Sequence, residues 1–521
     1  MVHLIYASAV SACFEMENEA PYYAPAAFEV YLNGEKQLVS DTNVFSLFSL
    51  RPDTDYTLTT RQGEKTEEIS FHTPAEACAI DVRAFGATGD GKTDDTQAIQ
   101  NAIHFTPAGA RLYFPAGVYS TRPLALRSHL TLDFAEGAVL LGSKNREEYP
   151  ILPGTVPLQN GGEMMTGAFE GLVKPMYQSL IHAEYCEDIA LIGQGIVDGN
   201  AQNSDFWTEF KNFPTARPRL MFFCNCKNVT VHGLTGRNSP SWNMHPFYCE
   251  HVSFLDMKIQ APKDSPNTDA IDPEACVDVK IIGCRLSVGD DCIAIKSGKI
   301  ELCRMRNQSA RYHVIRNCLM EFGHGAVTLG SETACGVKDL TVNRCLFSHT
   351  DRGLRIKTRR GRGKDCDITG ITFEKIRMDH VITPVVINMW YNCCDPDRYS
   401  DYVKCRTPLP VDERTPHLGE FTFRDLECTG AEAAVCYIDG LPEAPIDRVN
   451  FENVRISFAD DAKPFVPAMQ NDAVPRCKMG LYLNNVKNIR LDCVTVQGAL
   501  GQALIAENCG HVESHQFVEA E

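Results

Sequence analysis

Four short motifs follow one another along this chain: Asn267-Thr268-Asp269, Gly289-Asp290-Asp291, Gly323-His324-Gly325 and Arg355-Ile356-Lys357. Asp269 to Asp291 is 22 residues, Asp291 to His324 is 33, and His324 to Arg355 is 31. Each step is about one period of a repeat in the flanking sequence. A chain that stacks on itself with that period gathers three carboxylates, an imidazole and a cationic pair on one face. Breaking a glycosidic bond needs one carboxylic acid to protonate the leaving oxygen and one carboxylate to activate water or attack the sugar. Carboxylates a few ångströms apart cannot all ionise freely, which separates their pKa values into acid and base. The cations suit a sugar polymer that carries carboxylates, Arg as a bidentate donor and Lys as a point charge.

Taken singly, each motif has a plainer reading. An Asp-Asp pair in a loop is often a Ca²⁺ site or a solvated turn, and a histidine between glycines is often a turn or packing residue. The segment from Arg352 to Lys364 carries seven Lys or Arg, as a solvated loop or a nucleic-acid patch also would. A formal net charge of −17 argues against general nucleic-acid binding and favours solubility. Arg355 and Lys357 alternate with Leu354 and Ile356, so both point to the solvent side of one strand. Arg359, Arg360 and Arg362 read as loop charge.

The elements that position these residues are a repeat of the form apolar, any, apolar, any, small or polar, apolar, visible from about residue 180. It runs through Val229-x-Val231-x-Gly233-Leu234, Val252-x-Phe254-x-Asp256-Met257, Val279-x-Ile281-x-Gly283-Cys284 and His313-x-Ile315-x-Asn317-Cys318. Further units begin at Leu340, Ile371, Phe421, Val449 and Ile489. Short β-segments at this spacing without intervening helices predict a parallel β-helix, since a βαβ fold needs a helical crossover in each period. Cys284, Cys318 and Cys345 share one position with Leu, Met, Ile and Val, so they read as stacked core thiols. Gly86-Ala-Thr-Gly-Asp-Gly-Lys92-Thr93 satisfies the P-loop pattern. Asp90, Asp94 and Asp95 put negative charge where phosphates would sit, and no βα alternation follows. The segment and the amphipathic stretch Asp94–Ile103, with Thr93 or Asp94 as N-cap, read instead as a cap over the first coil.

Residues 1–76 hold short alternating segments and an Asn33-Gly34 hairpin signal, the pattern of a small β-sandwich; residues 77–521 form the repeat domain. The N-terminus lacks a basic n-region, and 22 cysteines in a long chain without an export signal read as reduced thiols. Both predict a cytoplasmic protein, or a periplasmic or secreted one whose signal peptide has been removed. No apolar run approaches the ~20 residues of a membrane helix.

Together the four motifs resemble glycoside hydrolase family 28, the polygalacturonases, whose pattern is Asn-Thr-Asp, Gly-Asp-Asp, Gly-His-Gly and Arg-Ile-Lys in this order. The similarity runs from about Asp81 past Tyr391 and includes Asn238-Ser-Pro-Ser-Trp-Asn-Met-His-Pro246. Leu50 to Leu58 resembles the leucine-to-tyrosine segment of fibronectin type III modules, a combination similar to the bacterial exo-acting branch. The resemblance implies a right-handed parallel β-helix and inverting hydrolysis of α-1,4-galacturonosidic bonds. It makes Asp290 the general acid, Asp269 and Asp291 the holders of the water, and His324 a tuner of the acid through hydrogen bonding. Arg355 and Lys357 would hold a galacturonate carboxylate, with Asn267 and Tyr391 as further contacts. It implies no metal or cofactor, and a galacturonate polymer or oligomer as partner rather than nucleic acid or membrane; oligomeric state stays open. Insertions at Lys144–Met176 and Asn392–Pro416 would wall off one end of the groove and favour exo action. Alternatives are a rhamnogalacturonan or xylogalacturonan hydrolase with the same machinery, and a non-catalytic β-helix that binds acidic polysaccharide.

Overall fold

The computed structural model describes residues 1–159, 161–392, 400–470 and 472–520. From Ala79 onward the chain winds through three parallel sheets. The first sheet runs from Ala79–Asp81 through Lys227–His232 and Val277–Ile282 to His511–Ala520. The second runs from Asp90–Asp94 through Thr235–Arg237 and Arg285–Ser287 to Leu346–Ser348, beyond which the long strand Asp367–Asp379 serves both. The third carries Met221–Cys224, Met244–Phe247, Ile293–Ile295, Val327–Gly330, Arg352–Lys357 and Thr383–Asn388. Single bridges at Ile271 and Glu274 fill the coil between Met244 and Ile293. This is the predicted parallel β-helix, and its coils begin at Ala79 rather than near residue 180.

The repeat maps onto the coils position by position. Val229, Val252, Val279, His313, Leu340 and Ile371 pair in register and face a continuous apolar core with Val231, Phe254, Ile281, Ile315 and Val342. The small-or-polar position is where the backbone turns from the first sheet to the second. Gly233, Asp256, Gly283, Asn317, Arg344, Lys375, Asp425, Asn453 and Cys493 all have φ between 47° and 80°, the left-handed region that disfavours β-branched residues. Cys284, Cys318 and Cys345 are fully buried in the core. A second row of thiols, Cys186, Cys226, Cys249 and Cys276, is also buried.

Before the solenoid, two antiparallel sheets of three and four strands over Val2–Thr73 enclose Phe14, Phe28, Val30, Phe45, Leu58 and Phe71. The first two strands, Val2–Ala7 and Ser11–Met16, pair antiparallel. The Tyr56 hydroxyl accepts the Arg51 N–H at 2.8 Å, and its ring stacks on Phe71. That back-bond from a buried tyrosine is the corner found in immunoglobulin-like sandwiches. This body seats on the bends of the solenoid: a Cβ on Gly233 or Gly283 would lie 2.4 Å from Phe48 or Val44. Buried Glu15 reaches across to Arg316, Arg344 and Asn317.

The helix Thr96–Phe105 covers the first coil, buries Ile99, Ala102 and Ile103, and has Asp95 rather than Thr93 or Asp94 at its N-cap position. Asp95 accepts the N–H groups of Thr88 and Gly89, and Asp90 those of Lys92 and Thr93. Carboxylates thus occupy the loop amides that a P-loop turns toward phosphate.

Candidate active site

The outward face of the third sheet brings the motifs together. Strand register aligns Asp269, Asp291, Gly325 and Arg352 across successive coils, with Ala270 N–H bonded to Asp291 O and Cys292 N–H to Gly325 O. Adjacent strands stand ~4.8 Å apart, so near-coil spacing in sequence becomes adjacency in space. Asp269, Asp290 and Asp291 each offer a carboxylate oxygen within 4.8 Å of the others. Asp269 and Asp291 are buried and Asp290 is half-buried.

The environments divide the three. Burial alone would raise Asp291, but the Lys357 ammonium and the Arg355 guanidinium reverse this and hold it far below the usual carboxylate range. Lys357 Nζ lies 2.7 Å from Asp291 Oδ2, and Arg355 Nη1 lies 3.1 Å from Oδ1. Burial, then Asp290 and Asp272, push Asp269 well above that range. One ionised and one protonation-prone carboxylate side by side are what acid–base chemistry on one bond requires.

The motif glycines answer to the same crowding. A Cβ on Gly325 would sit 2.2 Å from Thr328 Oγ1 and 2.9 Å from Asp291 Oδ1; on Gly323, 2.6 Å from Cys292 Sγ; on Gly289, 2.4 Å from Ser265 O. His324, between two such glycines, stays exposed and pairs through Nδ1 with Asp351 at 2.8 Å. Its backbone N–H reaches Asp290 O at 3.2 Å, and among the described residues no side-chain hydrogen bond joins it to the Asp290 carboxylate. The hydrogen bond to Asp351 raises the His324 pKa.

Arg355 and Lys357 leave the strand on its outer face as expected, yet they are only 7% and 9% exposed. Met469 covers Arg355, and the Tyr391 ring lies 5.9 Å from Lys357 Nζ. Arg359, Arg360 and Arg362 are not solvated loop charge: all three are buried. Arg360 pairs with Glu443 and stacks over Trp390, partners far away in sequence that gave no local signal.

Asn267 has φ 55° and accepts from Arg217 Nη2 at 2.6 Å. It opens on a cleft of about 690 Å³ walled by Phe169, Lys174, Phe210, Arg217 and Trp242. The P-loop-like segment borders a separate cavity of about 630 Å³ on the N-terminal coils, away from the carboxylates. Sequence reasoning missed Arg217, Asp272, Lys296 and Glu332. Lys296 Nζ is 3.5 Å from both Asp272 and Glu332 and lies over the Trp242 ring. The available signal was a lone lysine at the outward-facing end of the run Cys-Ile-Ala-Ile-Lys.

Residues 79–143 match a family described as Rhamnogalacturonase A/epimerase, pectate lyase-like. A Vitis vinifera protein named probable polygalacturonase is 30% identical over 417 residues, covering 77% of this chain and 79% of that protein. The family 28 exopolygalacturonase of Yersinia enterocolitica shares the fold over 98% of both chains, with TM-score 0.73 and 19% identity. An exopolygalacturonase from Thermotoga maritima aligns over 75% of this chain and 89% of its own, with TM-score 0.62 and 25% identity. The profile of Glycosyl hydrolases family 28 spans residues 166–471 and encloses all four motifs. This protein belongs to glycosyl hydrolases family 28.

Proposed function

We propose that the chain hydrolyses α-1,4-galacturonosidic bonds of polygalacturonate and its oligomers, acting from a chain end. The observation that carries this reading is the carboxylate cluster in which Lys357 and Arg355 keep Asp291 ionised beside Asp269, which burial holds toward its protonated form, and the half-buried Asp290. Asp290, the half-buried member, donates a proton to the leaving oxygen. Asp291 takes a proton from water held with Asp269, so that the water oxygen bonds to the anomeric carbon as the glycosidic bond breaks. His324, paired with Asp351, adds positive charge at the Asp290 rim. Arg355 and Lys357, with Asn267 and Tyr391 at the edges, attract the substrate carboxylate. In two-carboxylate inverting enzymes the acid and base stand about 6.5–9.5 Å apart. Here the oxygens lie within 4.8 Å, so the water enters beside the cluster rather than between its members.

End-on action is supported by what covers the same sheet on either side. Part of the Lys144–Met176 insertion, Ala168–Phe169 and Leu172–Val173, packs with Met176 on Phe222 and Phe247. Ala468 packs on Val386 and Tyr437 beyond the cations. Of the second insertion, Asn392–Pro416, residues 393–399 lie outside the described residues; Cys405 O accepts from Arg360. The division at 76/77 makes the sandwich a separate domain that braces the solenoid. Among the described residues 20 cysteines are free thiols, which suits a reducing compartment, and no helix is long and apolar enough to cross a membrane. Product analysis on end-labelled oligogalacturonates tests the reading. Release from one end supports it; mid-chain cleavage with rapid viscosity loss removes the exo assignment, and turnover only of rhamno- or xylogalacturonan removes the substrate.

A further inference from the structure

Behind the carboxylates, farther along the same strands, lies a sealed group of charges that the mechanism above does not use. Asp272, Glu274, Lys296 and Glu332 are each no more than 4% exposed. The outward-facing row runs Phe247, Glu274, Lys296, Gly330, Lys357 across the coils, and Asp272 lies between it and the Asp269–Asp291 row. Lys296 Nζ stands 3.5 Å from Asp272 Oδ1 and from Glu332 Oε2, and 4.6 Å from the Trp242 ring centroid. Both oxygens of Asp272, Oε1 of Glu274 and Nδ1 of His245 are buried without a hydrogen-bond partner. Structure for its own sake is poorly served by such a cluster, because replacing a buried ion pair with apolar groups is often neutral or stabilising. Charges in a low-dielectric wall act strongly on neighbouring charges, and the neighbours here are the reacting carboxylates.

We propose that Lys296 and Asp272 are positioning residues that set the pH window of the Asp269–Asp290–Asp291 cluster, Lys296 favouring its ionised form and Asp272 opposing it. The inference rests on the reading of those three carboxylates as the reacting groups. Asp269 faces Asp290 and Asp291 on the next coil, Asp272 on its own, and Lys296 and Arg217 from either side. Asp291 faces Lys357, Arg355 and Lys296, with Arg352 farther off; Asp290 faces His324. Lys296 itself faces Glu332, Asp272, Asp269 and Asp291, and Glu274 stands behind it beside Arg219. Of these cations only Lys296 bears on the cluster from within the sealed group. Three interacting carboxylates titrate as a unit, so the charge pair moves the whole bell of activity against pH rather than one limb.

The test is the pH profile of kcat/KM on a defined oligogalacturonate for the full chain and its variants. Lys296→Met should move both limbs toward higher pH by about one unit, an approximately fivefold loss at the wild-type acidic midpoint. Lys296→Gln, which keeps a hydrogen-bonding amide if methionine impairs folding, should move the same way, while Lys296→Arg should restore the wild-type position. Asp272→Asn should move the bell slightly to the acid side; the shift is smaller because burial lifts Asp272 to about 7 and leaves it partly protonated. Bells of the two neutral Lys296 variants that coincide with wild type, or move to acid, overturn the proposal. Asp290→Asn in the same assay separates the two failures: full activity there removes the underlying site reading, whereas an inactive Asp290→Asn with unmoved Lys296 bells removes only the role of the charge pair.

Discussion

Two stretches of the third sheet share one backbone register and differ only in what faces outward. Inward, both present the same kind of row: Met221, Met244, Ile271, Ile293, Val327 and Leu354 are all buried in the solenoid core. Outward, the early coils carry Phe222, Cys224 and Phe247, which an inserted hairpin covers as a closed apolar cluster. The middle coils carry Asp269, Asp272, Asp291, Lys296, Arg355 and Lys357. The inward rows hold the coil together, so the outward rows are free to differ: apolar where a loop docks, ionic at the proposed catalytic face. A solenoid thereby separates the residues that stabilise from the residues that react more cleanly than a fold whose core and site share side chains.

The sharpest way to break this comparison is to exchange effects between the two stretches. Asp290→Asn in the middle stretch should lower kcat by about 10²–10⁴ with an unchanged melting temperature, because Asp290 is half-buried and no ion pair holds it among the described residues; calorimetry beside a reducing-end assay checks both. Phe247→Ala in the early stretch should do the reverse, destabilising by about 3–5 kcal/mol while kcat per folded molecule holds, as read by denaturant unfolding with active-fraction correction. A catalytic loss at Phe247 or a stability loss at Asp290 would join what the comparison separates.

Gly325→Ala sits where both effects meet. The new methyl meets Thr328 Oγ1 and Asp291 Oδ1, so about 1–3 kcal/mol of overpacking should accompany a drop in kcat as the Asp291–Arg355 pair is displaced.

The last effect concerns pH and lies away from the site. His232 is held between Ser11 and Ser46 of the N-terminal sheets, and burial depresses it to about 3; burial likewise takes His313 to about 4. The unfolded chain binds these protons near the ordinary histidine value of ~6.5 while the folded chain does not. Their neutral forms therefore contribute stability that is fully present above ~6.5 and is lost as pH falls toward 3–4, at up to about 1.4 kcal/mol per unit for each. Denaturant melts at several pH values should show that slope, and His232→Asn should reduce it without shifting the activity bell. An unchanged slope would contradict the neutral buried imidazole.

What could be read from the chain alone follows the same division. The repeat was legible because Val229, Val252 and Val279 obey a strict inward period, and its fifth position was legible as small or polar because the bend there is left-handed. The motif residues were legible because they stand one coil apart. The coils before residue 180 were not, since strands such as Leu130–Phe134 and Ala138–Gly142 alternate without the full six-residue pattern. Lys296, Asp272 and Arg217 carry no motif; their meaning comes from neighbours on other coils. The burial of Arg360 depends on Glu443 and Trp390, contacts that no local pattern announces.

The central claim is that this carboxylate cluster hydrolyses a galacturonosidic bond by single displacement, and the anomer released first tests it most directly. Proton NMR of an oligogalacturonate digest in its opening minutes should show the β-anomer of the product sugar growing first and mutarotating later, with no unsaturated product. Early α-anomer, the outcome that carboxylates about 5–5.5 Å apart give in retaining enzymes, or a 4,5-unsaturated end group would contradict the account.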